Sequence, residues 1–337
     1  MRNAHLPARV LAEHSETAYM TRRAIDFIRD AGDEPWSLHL SYIKPHWPYM
    51  VPSPYHNIYG VEDVLPAVRS DDERADPHPV VKAFMNHGEG VVLSDDSARH
   101  NVIPTYMGLV KELDDHVGHL MTALSDLGRS DDTLIVLTSD HGDYLGDHWL
   151  GEKELFHEPS VRIPLIVADP SMSAEQSRGS TSRALVEGID LIPTFIDVLG
   201  GNPHQPWLEG RSFLDILHGR SAESRDFVVA ELDYFARKAR LELKVAADRA
   251  KGWMVRSDRW KYVFYEGFEP QLFDLDNDPD ELTDRASDPS CQGVLDEHRD
   301  RLFHWFRCRK STVTVDYDYL DTRHEFATRG GFIFGEW

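Results

Sequence analysis

Apolar positions along the chain fall into helical and strand-like patterns that alternate over most of its length. Residues 14–31 (HSETAYMTRRAIDFIRDA) place Ala24, Ile25, Phe27 and Ile28 at helical spacing, and Gly32 and Pro35 supply the stop. The clearest stripe is 105–127, where Tyr106, Leu109, Val110, Leu113, Val117, Leu120, Met121, Leu124 and Leu127 share one face and Gly128 ends it. ALVEGIDLIPTFIDVLG (184–200) predicts a second long helix, and 79–87 a weaker one. WSLHLSYI (36–43) is a short β-like run. TLIVLTSD (133–140) and PLIVADP (164–170) are nearly unbroken apolar runs, the pattern of parallel strands buried on both faces. Such alternation of strand and helix predicts an α/β layer fold. After about residue 220 the character changes. DFVVAEL (226–232), GWMVRS (252–257), RWKYVFY (259–265) and PQLFDL (270–275) predict a small antiparallel sheet, followed by a helix near 290–307.

At 337 residues the chain can bury a sizeable core in one large domain or two ordinary ones. A formal charge of −22 excludes nucleic acid and anionic membrane as bulk partners, while a local cation could still reverse the field in one cleft for a small anionic substrate. With Cys291 and Cys308 alone, no disulfide framework is implied. No apolar leader opens the chain and no run of 18 apolar residues occurs, so the expectation is a soluble, cytoplasmic protein.

The densest chemistry is TSDHGDYLGDHWLGEKELFHEPSVRIPLIV (138–167). Asp140 and His141 follow a strand, where ligands gather in open α/β sheets; a carboxylate and an imidazole there suit a divalent metal. They suit equally a turn in which Asp140 caps the next segment. Asp143, Asp147 and His148 either complete a local metal site or hold the loop through hydrogen bonds. Lys153 by itself reads as a solvated lysine, and Arg162 as a buried brace for Glu158. His46, fixed in the proline-rich loop KPHWPYMVPSP, is a loop histidine or a catalytic one; His39 on 36–43 reads as a core histidine.

Taken together, S-D-H-G, the following G-x-K, Glu158 and V-R-x-P resemble the sulfatase branch of the alkaline phosphatase superfamily, and within it the phosphonate monoester hydrolase and arylsulfatase-like group. KPHWPY is similar to that family's catalytic-histidine loop, GIDLIPTFIDVLG to its D-I-x-P-T helix, and QLFDLDNDPDELTDRA to its L-Y-D-L-x-x-D-P-x-E segment. The resemblance implies an alkaline-phosphatase-like sheet flanked by helices, incomplete at its N-terminal side, with a small C-terminal antiparallel subdomain. It implies residues 1–222 as the later part of the catalytic domain, 223–307 as the α+β subdomain, and 308–337 as a C-terminal arm through which a homo-oligomer could form. By resemblance Asp140 and His141 are metal ligands (for Mn, Ca or Zn), Lys153 contacts the substrate oxyanion, and His46 protonates the leaving oxygen.

The family's C/S-x-P-x-R nucleophile, whose Cys becomes formylglycine, has no match here: Cys291 precedes QGVL and Cys308 precedes RKST. VVLSDD (91–96) mimics the family's strand with an acidic pair, but lies after the His46 loop instead of before it. The sequence thus predicts a metal-dependent hydrolase of sulfate, phosphonate or phosphate esters, truncated and inactive alone. Its alternative is a non-catalytic, degenerate sulfatase-like domain that serves binding or assembly. A third reading builds a local metal phosphatase from Asp140, His141, Asp143 and His148.

Overall fold

A computed structural model describes residues 3–221 and 225–309; the expected C-terminal arm lies, but for its first two residues, outside them. The chain forms two compact units, one of Met1–Ser171 with Ala236–Val245, the other of Met172–Phe235 with the residues from Ala246 on.

The first unit is built on two packed helices. In α1 (Glu16–Ala31) the Ser15 side chain accepts the Ala18 N–H, Gly32 at φ 56° ends the helix, and Thr17, Ala18, Thr21, Ala24 and Ile28 form the buried face. Further along come, among others, α2 (Pro79–Met85), α3 (Gly88–Leu93) and the long α4 (Asp96–Asp126). The apolar stripe predicts a start at 105, yet α4 begins nine residues earlier and runs through Pro104. Tertiary contacts account for the difference. Asp95 caps the helix, Val102 is fully buried, and the Arg99 guanidinium donates to the Leu145 and Leu65 carbonyls and to Asp96. VVLSDD is therefore helix and cap instead of a strand, with Asp96 paired to Arg69 and Arg99.

Strands β1 (Ile135–Thr138) and β2 (Leu165–Ala168) pair antiparallel, Ile135 opposite Ala168 and Thr138 opposite Leu165. The parallel, doubly buried arrangement predicted for them is overturned. A parallel pair needs a crossover element, and residues 139–164 hold only the short helical turns Asp147–Trp149 and Glu158–Val161. Residues 36–43 form no ladder among the described residues. Their exposure alternates, and His39 lies on the open side, not in the core.

The second unit carries α5 (Leu191–Val198), entered by a turn at Gly188–Asp190 and shorter than predicted, because Asp190 Oδ2 accepts the Glu187 N–H and fixes the start. A four-stranded antiparallel meander follows, as the sequence predicts: β3 (Val228–Asp233), β4 (Lys251–Arg256), β5 (Trp260–Tyr265) and β6 (Gln271–Asp274). Between β3 and β4 a short helix, α6 (Lys238–Leu243), belongs to the first unit. Helix α7 (Gln292–Cys308) closes the meander, its Leu295 and Leu302 joining Val255, Tyr262, Leu272 and Cys291 in one core cluster. The described residues are α/β, with two antiparallel sheets among them.

Candidate active site

Two distant loops of the first unit converge. The loop that leaves 36–43 presents His46; the loop beyond β1 presents Asp140, His141 and, further on, Lys153. Lys153 Nζ lies 2.8 Å from His46 Nε2, and the His46 and His141 rings are 6.3 Å apart, edge to face. His141 Nε2 lies 3.5 Å from the exposed Asp140 carboxylate, whose other oxygen accepts the His141 N–H at 3.0 Å.

Hydrogen bonds fix the tautomers. His46 Nδ1 faces the Trp47 carbonyl at 2.8 Å, and His141 Nδ1 faces the Gly142 carbonyl at 2.8 Å. A carbonyl oxygen only accepts, so each Nδ1 carries a proton, and in the neutral ring each Nε2 holds a lone pair. For His46 that lone pair accepts from the Lys153 ammonium. For His141 it points where a cation could be held, with the second nitrogen oriented as in metal-ligating histidines.

Residues that the sequence did not single out hold these groups in place. Lys44 Nζ donates to the His46 and Pro48 carbonyls at 3.1 and 2.9 Å, gathering the His46 loop around itself. Burial keeps the Lys44 ammonium below its ordinary pKa, partly offset by Glu16 and Glu112. Tyr49 OH donates to Asp143 Oδ2 at 2.7 Å and so ties that loop to the one beyond β1. Burial raises the Tyr49 phenol well above its usual range, and the Asp143 carboxylate beside it adds to the shift. Ser160 joins the remaining pieces: its carbonyl accepts the Gly142 N–H at 2.8 Å and its hydroxyl donates to the Lys153 carbonyl. A Cβ at Gly142 would meet the Pro159 oxygen at 2.0 Å, so only glycine permits this approach. Lys44 and Tyr49 flank His46 inside the quoted KPHWPY, which is the one signal that could have pointed to them.

Asp143, Asp147, His148 and Arg162 have other partners or face solvent. Asp143 is occupied by Tyr49 and by the Leu145 N–H at 3.0 Å. His148 is buried, with Nδ1 2.7 Å from Glu73 Oε1 and its ring stacked on His157 at 4.1 Å. Asp147 accepts the Val68 N–H at 2.9 Å. These groups hold the loop by hydrogen bonds, and no three His, Cys, Asp or Glu side chains among the described residues cluster as a metal site. The four residues of the local metal phosphatase are thus not brought together. Arg162, expected buried, has a side chain 80% exposed and only a 4.0 Å approach to Glu158. Exposure alternates from 161 to 168, and Arg162 falls on the outer register. Cys291 packs in the core of the second unit, where it cannot serve as a nucleophile.

Asp140 and His141 are the right donor types for a divalent ion, but catalytic sites usually employ three or more protein ligands. Among the described residues, Asp140 and His141 bring two such donor side chains side by side.

Comparison with known proteins places this geometry. The sulfatase family model matches residues 6–201, and that of the N-sulphoglucosamine sulphohydrolase C-terminal region matches 146–307. The chain is 31% identical to the multifunctional alkaline phosphatase superfamily protein PehA of Trinickia caryophylli, over 89% of this chain and 61% of that protein. It is 31% identical to a choline-sulfatase of Rhizobium meliloti, over 86% of this chain and 55% of that protein. Among solved structures it superimposes on the phosphonate monoester hydrolase of Agrobacterium radiobacter with a TM-score of 0.81 and 28% identity, covering 89% of this chain and 62% of that one. The corresponding enzyme of Silicibacter pomeroyi gives 0.82 and 28%, covering 92% and 64%. The chain thus spans a little under two thirds of the length of these relatives. With its α/β fold, its His46–Lys153 contact and the match over residues 6–201, the chain belongs to the sulfatase family.

Proposed function

We propose that this chain carries the oxyanion-binding and leaving-group half of a hydrolase for sulfate or phosphonate and phosphate monoesters. The observation that carries the reading is the 2.8 Å contact between Lys153 Nζ and His46 Nε2, with His141 close by. An ammonium has three N–H bonds. One goes to His46, which leaves two for the non-bridging oxygens of a tetrahedral anion, where charge builds as the ester is attacked. The pair also serves the leaving oxygen: a proton passed from Lys153 through His46 Nε2 reaches the departing alkoxide or phenoxide, leaves Lys153 a neutral amine, and is replaced from solvent after product leaves. Asp140 and His141 contribute two donors for a divalent cation, which when bound would neutralise charge on the ester oxygens. The nucleophile and the remaining donors come from outside the residues described. The names of the relatives, a choline-sulfatase and phosphonate monoester hydrolases, support both substrate classes and do not choose between them.

Turnover of p-nitrophenyl phenylphosphonate and p-nitrophenyl sulfate with added manganese tests the reading. His46→Ala and Lys153→Ala should each lower kcat by roughly 10²–10⁴-fold, the usual worth of a positioned acid or base; His141→Ala should make turnover insensitive to manganese. Turnover that survives all three substitutions sinks the assignment. A folded wild-type chain without turnover fits both a half-enzyme and a non-catalytic sulfatase-like domain, and manganese binding that His141→Ala abolishes then decides for the first.

A further inference from the structure

Residues 236–245 leave the second unit's meander between β3 and β4 and pack with the first unit. The neck of this excursion is closed by the Tyr234 N–H, which donates to the Ala250 carbonyl at 2.8 Å. Within the first unit, α6 lies against α2, and Ala239 is fully buried. Asn86 Nδ2 donates to Glu242 Oε1 at 2.7 Å, and Arg237 forms an ion pair with Glu154. Glu154 is the immediate neighbour of Lys153, and its other oxygen accepts the Lys153 N–H at 3.3 Å. Finally, the Ala239 N–H donates to His87 Nε2 at 3.1 Å.

We propose that residues 236–245 form a strap that positions Lys153 through Arg237 and Glu154, and that His87 is its pH-sensitive latch. A backbone N–H only donates, so His87 Nε2 must hold a lone pair while the strap is docked. A proton on that nitrogen sets two N–H groups against each other and breaks the bond. The groups facing His87 are Glu154, Glu89 and Glu242, which favour its charged form, and Arg237, which opposes it; the Phe84 ring packs on it at 4.7 Å. Burial outweighs the carboxylates and holds the imidazole below its ordinary pKa. The sign follows from linkage. The docked strap binds the proton less well than the released one, so docking is complete at higher pH and is lost as pH falls through the depressed value.

The catalytic meaning of the strap rests on the reading of Lys153 above, but its docking does not, so amide exchange of the full chain decides the matter whether or not the chain turns over substrate. Protection factors, corrected for intrinsic exchange, are measured for 236–245 and 150–155 between about pH 8 and about pH 5, with the meander as internal control. The Ala239 amide should lose protection as pH falls, by a factor approaching roughly tenfold per pH unit between the values of the released and the docked imidazole. His87→Gln supplies a carbonyl acceptor that does not titrate, and should keep protection flat with pH. Arg237→Ala should speed exchange at the Lys153 amide while the meander stays protected. Protection of 236–245 that ignores pH, or that falls equally in His87→Gln, overturns the latch. A Lys153 amide unchanged in Arg237→Ala overturns the positioning role.

Discussion

Val255, Tyr262 and Leu272 in the meander of the second unit are at most 2% exposed, whereas Ile166 on β2 of the first unit is 64% exposed. Both sheets come from short apolar runs, aliphatic in β1 and β2 and partly aromatic in the meander. In the meander, β4, β5 and β6 follow one another through tight turns, pair with their sequence neighbours, and are covered by α7. In the first unit, β1 and β2 are separated by the whole site loop, and they have no third strand among the described residues. One sheet is a core closed by its own chain. The other is a platform for loops. The comparison teaches that an apolar run encodes a strand's wish for burial, while coverage depends on what the topology brings against it.

Substitutions can break that comparison. The largest effect should come from Glu281→Ala, because Lys261 and Glu281 form a 2.6 Å ion pair with side chains 0 and 1% exposed. Removing one partner strands a buried charge and should cost about 3–5 kcal/mol; a loss under about 1 kcal/mol in denaturant titration would mean water reaches the pair. Next, Leu272→Ala empties a fully buried site and should cost about 2–5 kcal/mol. Its counterpart, Ile166→Ala, should stay within about 0.5 kcal/mol, as exposed substitutions do. Equal losses at the two positions would mean that β2 is covered in solution, and the contrast between the sheets would fail.

A smaller effect depends on pH. Arg259 grips Asp274 with two bonds, 2.8 and 2.7 Å, which hold the Asp274 carboxyl well below the ordinary carboxylate range. A depressed folded pKa adds stability above the unfolded value and loses it as pH falls toward the folded one. Arg259→Gln should therefore lower stability slightly at neutral pH, a small effect because the guanidinium is half exposed. The difference from wild type should vanish in strong acid. A deficit that persists there would place the role of Arg259 in packing on Trp260, which it overlies at 4.9 Å.

Much of this was written in the chain. Periodicity located α1, the body of α4, the meander and α7, since local spacing alone decides which positions can share a face. The motif S-D-H-G with its downstream lysine, and KPHWPY far before it, marked Asp140, His141, Lys153 and His46 as residues of one kind of chemistry. Their meeting was not legible from spacing, because 107 positions separate the His46 imidazole from the Lys153 ammonium that it accepts. The same holds for the helix through Pro104, which Arg99 and Val102 anchor by contacts with distant segments, and for the strap whose Arg237 reaches Glu154. The sequence by itself determined which residue types, helices and local strands were available, because propensity and pattern act within a few positions. Only the tertiary structure decided that β1 and β2 run antiparallel, that Arg162 faces water and His148 turns to Glu73, and that Lys44 and Tyr49 hold the His46 loop. Those outcomes depend on groups far apart in the chain, whose approach is set by loop closure and by what each buried polar atom finds to bond.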